Sequence, residues 1–173
     1  SPLLVGGDPA KRGKVQSASR EAREAGARAG MSMRDAMSLC PGAVCCPTNM
    51  KLYREISGAF VSCLRESFDR LEIGGLGEIY SEIPRRISDP NEFGQQVLVD
   101  AQEEMGLPMR LGIAPSKLVA RLAAEEASQG SMLCLEAGTV AGFLDPLELS
   151  RLPRVGEKTA TRLRELGAST VGQ

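Results

Sequence analysis

Apolar positions along this chain switch between two spacings. Leu52, Ile56, Phe60 and Leu64 recur at every fourth residue, with Tyr53, Ala59 and Cys63 beside them, and predict one amphipathic helix spanning roughly 49–68. Asp89-Pro90 marks another helix start; Phe93, Val97, Leu98, Ala101 and Met105 fall on its inward side until Gly106 closes it. A third helix is predicted over 116–128, with Leu118, Val119, Leu122 and Ala123 buried. The Ala-, Glu- and Arg-rich residues 17–29 predict a helix broken at Gly26. Ser32 can cap a short helix over Met33–Leu39, which Pro41-Gly42 stops.

Between these helices, short apolar runs predict strands. Leu3-Leu4-Val5 reads as the end of a strand entering a turn, and Pro9–Gly13 as a basic turn. One or two strands are expected around the glycines of Leu71–Ile83, one at Met109–Ile113 and one at Ser131–Leu135. Gly138–Leu144 is expected to be helical, and beyond Asp145 two short helices flank Val155-Gly156. The alternation predicts an α+β layer with helices packed on a sheet. Both ends of the sequence are abrupt and read as cut.

Composition narrows the chemistry. A chain of 173 residues suits one ordinary domain or two or three small lobes. With 42% apolar and 25% charged residues it is expected to be globular and soluble. Aromatics make up only 3% and Trp is absent, which argues against platforms of stacked bases. A net charge of −1 gives no global attraction to nucleic acid, although a local phosphate patch remains open. The absence of His removes Ser-His-Asp and Cys-His catalysis and His-ligated zinc. The five cysteines form no C-x-x-C pair and read as reduced thiols of a cytoplasmic protein, and no apolar run is long enough to span a membrane.

Four segments are candidates for function. Gly6–Lys14 superficially resembles a phosphate loop, but Asp8 stands where the first Gly is needed and Val15 where Ser or Thr is needed. Arg20 and Arg23 lie one helical turn apart and could grip a polyphosphate; a solvated Glu/Arg helix is the simpler reading of the same residues. Lys117 falls in the first turn of its helix, against the dipole, where an anion contact and a plain surface lysine fit equally well. Leu152–Ala160 has the form of a helix-hairpin-helix. Its Gly156 turn would free backbone N–H groups for a DNA phosphate, with Arg154, Lys158 and Thr159 in support; an ordinary helical hairpin is the alternative.

In order, the stretches VGGDPAKRGKV with SASREAREAGARAGM, LCPGAV with LYREIS, LEIGGLGEIYSEI, GIAPSKLVARLAA and FLDPLELSRLPRVGEKTATRLRELGASTVGQ resemble the Y-family (translesion) DNA polymerases. The match is collinear and covers nearly the whole chain. The resemblance implies an α+β palm sheet with packed helices, a small helical fingers insertion and a helix-hairpin-helix thumb segment. It implies a palm strand end at 1–10, fingers at 11–50, palm at 51–143 and the start of the thumb at 144–173, with the little finger beyond Gln173. It also implies template-directed nucleotidyl transfer in translesion synthesis and DNA repair, with Mg²⁺, a primer-template and dNTP. A sliding clamp would be met through a C-terminal region outside this sequence.

By the same resemblance Arg23, Arg20 and Lys117 bind the nucleotide triphosphate, from opposite sides for Arg23 and Lys117. Arg154, Gly156, Lys158 and Thr159 grip the DNA backbone, and Glu78 is the catalytic and metal-binding candidate. The departures from the family pattern are specific. The family's first strand, with its Asp and its sugar-sensing aromatics, is expected before Pro2. The Ser-Ile-Asp-Glu-Ala-Tyr stretch falls on Gly75–Tyr80, so Gly77 replaces the metal-binding Asp and only Glu78 remains. A family Tyr is Arg20, and a family Lys-Pro is Ser128-Gln129. Two Mg²⁺ about 4 Å apart cannot be neutralised and oriented by one glutamate. The chain alone is therefore expected not to polymerise DNA. The alternative, favoured by Gly77 and Arg20, is a non-catalytic, polymerase-like DNA-binding scaffold of the damage response.

Overall fold

The computed structural model describes all residues from Ser1 to Gln173. They form two compact units, Ser1–Glu55 and Ile56–Gln173.

In the first unit, β1 (Leu3–Gly6) lies between β2 (Val15–Ala18) and β3 (Val44–Pro47), antiparallel to β2 and parallel to β3. Two short helices, α1 (Arg20–Glu24) and α2 (Met33–Leu39), pack on this sheet through a core of Leu4, Val15, Ala18, Ala22, Met33, Ala36 and Cys40. Residues 17 and 18 are strand, not the helix their neighbours' propensity predicts. Val15 and Ala18 bury themselves against β1, and Ser19 instead starts the helix, its hydroxyl accepting the Ala22 N–H at 3.3 Å. The same hydroxyl accepts from Leu3 N–H at 3.1 Å, tying the start of α1 to β1. Ser32 caps α2 as expected, accepting from Asp35 N–H at 3.1 Å. Strand β3 carried no readable signal, since Val44-Cys45-Cys46-Pro47 has neither clear alternation nor length.

The helix α3 (Met50–Ser67) continues through the boundary between the units. The second unit then holds the antiparallel hairpin β4 (Glu72–Gly75) and β5 (Glu78–Tyr80), followed by α4 (Pro90–Met105), β6 (Arg110–Ile113), α5 (Lys117–Glu126) and β7 (Ser131–Cys134). Strands β6 and β7 are parallel, and α5 is their crossover. The expected palm sheet is thus two separate two-stranded pieces. Helix α4 has the ends its sequence requires: Asp89 accepts from Asn91 and Glu92 N–H at 2.8 and 3.2 Å, Pro90 opens it, and Gly106 closes it in the left-handed region at φ 64°.

Two burial expectations are corrected. Leu118 is 45% exposed and Leu52 is 44% exposed. On α5 the buried stripe is Val119, Leu122 and Ala123, and Leu118 stands about 100° away from Val119. On α3 burial falls on Val61 and Leu64 instead of running back to Leu52.

After β7 come a 3₁₀ turn at Ala137–Thr139, α6 (Val140–Leu144), a 3₁₀ turn at Leu149–Arg151 and α7 (Glu157–Glu165). The first arm of the expected hairpin is therefore a single 3₁₀ turn. Pro153 stops it before an α-helix can develop, while α7 anchors through the buried Ala160.

Candidate active site

Strand β6 delivers the chain to Ala114-Pro115, and the Ser116 hydroxyl accepts Val119 N–H at 3.3 Å. Lys117 is thereby the first residue of α5, at the positive end of the helix dipole. Its partner lies across on β4, where Glu72 Oε2 accepts from the Lys117 ammonium. One turn further along α5, Arg121 Nη1 stands 3.2 Å from Glu78 Oε1 on β5. The hairpin register sets Glu72 opposite Tyr80, and Glu78 precedes Tyr80 by two residues, so all three share one face. That face meets the Lys117/Arg121 side of α5 with opposite charge.

Glu78 is doubly engaged, because the Tyr80 hydroxyl also donates to its Oε1. Burial, and then the neighbouring Glu78 carboxylate, hold the Tyr80 hydroxyl above the usual phenol range. The Arg121 guanidinium is raised as well, first by its hydrogen bond to Glu125 (Nε to Oε1, 3.1 Å) and then by the charge of Glu78. Alternating charges continue from Glu125 to Arg151, whose Nη2 lies 4.0 Å from Glu125 Oε2 and pairs with Glu126. This links the 3₁₀ turn at Leu149–Arg151 to α5.

The carboxylates present do not fit a two-metal centre. No group of three or more Asp, Glu, Cys or His side chains comes together to hold an ion. Glu78 faces a guanidinium and a phenol. Gly77 has φ 154°, where a side chain would be strained even though no atom lies within 4 Å of an added Cβ.

Beside this cluster a cleft of about 740 Å³ opens between the hairpin, β6, α3 and α4. Phe60, Leu64, Phe93 and Leu111 line its floor, while Glu72 and Lys117 stand on its wall. Strand β6 pairs only with β7, which leaves its other edge without a strand partner.

The remaining candidates are distributed as follows. Arg20 and Arg23 lie in the first unit, both exposed, on the side of α1 away from the buried Ala22. Arg23 Nη1 donates to Ala18 O at 3.0 Å, and Arg20 Nε stands 3.6 Å from Glu24 Oε1. In the second unit Arg154, Gly156, Lys158 and Thr159 are all exposed around the start of α7. No side chain caps that helix at Gly156, and Arg154 adopts the left-handed φ of 70°, uncommon for a residue with a Cβ. Sequence reasoning missed Glu72, Tyr80, Arg121 and Arg151. The i,i+4 spacing of Lys117 and Arg121, and the equal parity of Glu78 and Tyr80, were the available signals.

This arrangement is that of the Y-family polymerase fold. The crystal structure of DinB from Sulfolobus solfataricus superposes with a TM-score of 0.87 at 26% identity, over 98% of this chain and 51% of that one. The insertion ternary complex of Dbh DNA polymerase also gives 0.87 at 26% identity, over 98% and 51%. The profile of the impB/mucB/samB family matches residues 1–125, and the chain belongs to that family. DNA polymerase IV of Dehalococcoides mccartyi is 39% identical over 99% of this chain and 45% of its own length. DNA polymerase IV of Pseudomonas aeruginosa is 32% identical over 97% and 49%. The chain spans about half the length of the curated relatives it matches.

Proposed function

We propose that this chain is the fingers, palm and first thumb segment of a translesion DNA polymerase of the DNA polymerase IV type, acting in the cytoplasm in DNA repair. The observation that carries this reading is the similarity to DNA polymerase IV along 99% of the chain. Fingers are assigned to 11–50, palm to 51–143 and thumb to 144–173, with 1–10 as the end of a palm strand. Arg23, with Arg20 beside it, and Lys117 are each assigned to dNTP-triphosphate binding. Arg154, Gly156, Lys158 and Thr159 hold the primer-template backbone through phosphates, without reading bases. Both groups are exposed, and Arg20, Arg23, Lys117, Arg154 and Lys158 supply the positive charge that phosphate contacts favour. A sliding clamp would be engaged outside Ser1–Gln173.

Mg²⁺ chemistry in the full-length protein needs carboxylates beyond Glu78. The cleft beside β6, bordered by an unpaired strand edge, is suited to one further strand that would bring such a group. A second reading, a non-catalytic DNA-binding scaffold, is favoured by Gly77 standing in the metal-binding position with a backbone that disfavours any other residue.

Primer extension across a damaged template by the full-length protein separates the two. Mg²⁺-dependent insertion is expected of the polymerase. DNA binding without insertion would leave the scaffold.

A further inference from the structure

In this structure the cationic side of α5 is already occupied by the protein's own carboxylates. Lys117 pairs with Glu72 and Arg121 pairs with Glu78, and both glutamates come from one face of the β4–β5 hairpin. The two pairs differ in character. Glu78 and Arg121 have side chains 37% and 40% exposed and share further partners in Tyr80 and Glu125, which makes them part of a network. Glu72 and Lys117 are each 61% exposed, with no other side-chain partner for either group. An exposed, isolated pair of this kind is weakly held and exchanges readily. Both residues stand on the wall of the cleft, with Arg70 and Arg110 among the other cations lining it.

We propose that Glu72 is an affinity-setting residue for the polyphosphate site: an internal anion that holds the Lys117 ammonium until a phosphate group displaces it. This rests on the reading of Lys117 as a triphosphate ligand. While Glu72 is engaged, only the unpaired fraction of Lys117 is competent to bind. Apparent affinity for any phosphate ligand that needs this lysine falls by that fraction. An exposed ion pair supports a factor of roughly two to five. Because the carboxylate must leave before any phosphate can take its place, the factor is the same for pyrophosphate and tripolyphosphate. Repulsion acting through space would instead grow with ligand charge.

The test is calorimetric titration of the 173-residue chain with pyrophosphate and with tripolyphosphate at low ionic strength, using wild type, Glu72→Gln, Lys117→Gln and the double variant. Glu72→Gln should tighten both ligands by one common factor of roughly two to five, Lys117→Gln should weaken both, and Glu72→Gln should have no effect once Lys117 is gone. If Lys117→Gln weakens binding but Glu72→Gln leaves it unchanged, or tightens it in proportion to ligand charge, the role of Glu72 is overturned and that of Lys117 stands. If Lys117→Gln changes nothing, the triphosphate reading fails and this inference with it. Should wild-type binding be too weak to titrate, the Lys117 ammonium resonance reads the pairing directly, and its indifference to Glu72→Gln would overturn the proposal.

Discussion

Gly112 determines how closely α5 can approach β6, and through that where Lys117 stands. A Cβ on Gly112 would lie 1.9 Å from Ala120 O and 2.6 Å from Ala124 N, both backbone atoms of α5. Relief to an ordinary contact of 3.4 Å requires the helix to retreat by about 1.5 Å. No side-chain rotamer can absorb that movement, and α5 carries Val119, Leu122 and Ala123 into the core. Overpacking a core usually destabilises by about 1–3 kcal/mol, and a backbone-to-backbone clash belongs at or above the upper end of that range. Gly94→Ala on α4 is the matched control. Its Cβ would meet Met132 Cε and Sδ and Ile113 Cδ1 at 2.8–2.9 Å, all near the ends of flexible side chains. The helix also gains up to about 1 kcal/mol from replacing Gly with Ala, so the net change should lie within about 1 kcal/mol of wild type. Urea unfolding followed by circular dichroism compares the two. Gly112→Ala is expected to lose about 3 kcal/mol with an unchanged slope. A loss below about 1 kcal/mol, or a greater loss for Gly94→Ala, would refute the close packing of α5 on β6.

Other consequences follow from particular residues. Arg154→Gly should stabilise the chain by up to about 1 kcal/mol by relieving the left-handed φ of 70°, read as a higher midpoint in a thermal melt; a lower midpoint would mean that the conformation is not strained. The Cys63 thiol is pushed up to about 11 by burial and then by the nearby Glu104, Glu66 and Asp100, so alkylation at Cys63 should stay slow until the pH approaches that value. Because the folded value exceeds that of a free thiol, its contribution to stability is full below pH 9 and is lost as the pH rises through about 11. Glu104→Gln should move the alkylation midpoint down, as peptide mapping can follow. Lys158→Ala should weaken DNA binding equally across sequences and reduce the salt slope by about one; a sequence-dependent loss would contradict a phosphate contact.

The helices of the second unit were legible because their ends and stripes agree. Asp89-Pro90 and Gly106 bracket α4, and Val119, Leu122 and Ala123 recur at helical spacing. The first unit was less legible because its strands are four residues long and its core leans on alanines, which carry little periodic contrast. Helical propensity in 17–29 was overridden at Ser17 and Ala18 by pairing with β1, and α1 ends at Glu24 instead of continuing to 29. Lys117 and Glu78 could be singled out from the resemblance. Of their partners, Arg121 left its i,i+4 spacing from Lys117 as a signal and Glu72 left none, because an ion pair between residues 45 positions apart leaves no local trace in one sequence.

Central to the proposed function is whether the carboxylates within Ser1–Gln173 suffice for nucleotidyl transfer. Primer extension by this chain, with Mg²⁺ and all four dNTPs, measures that directly, for the wild type and for Gly77→Asp. Asp at position 77 would sit in a backbone conformation suited to glycine, and Glu78 beside it is already held by Arg121 and Tyr80. No extension is expected from either protein. Extension by either one that disappears on Glu78→Gln would contradict the account.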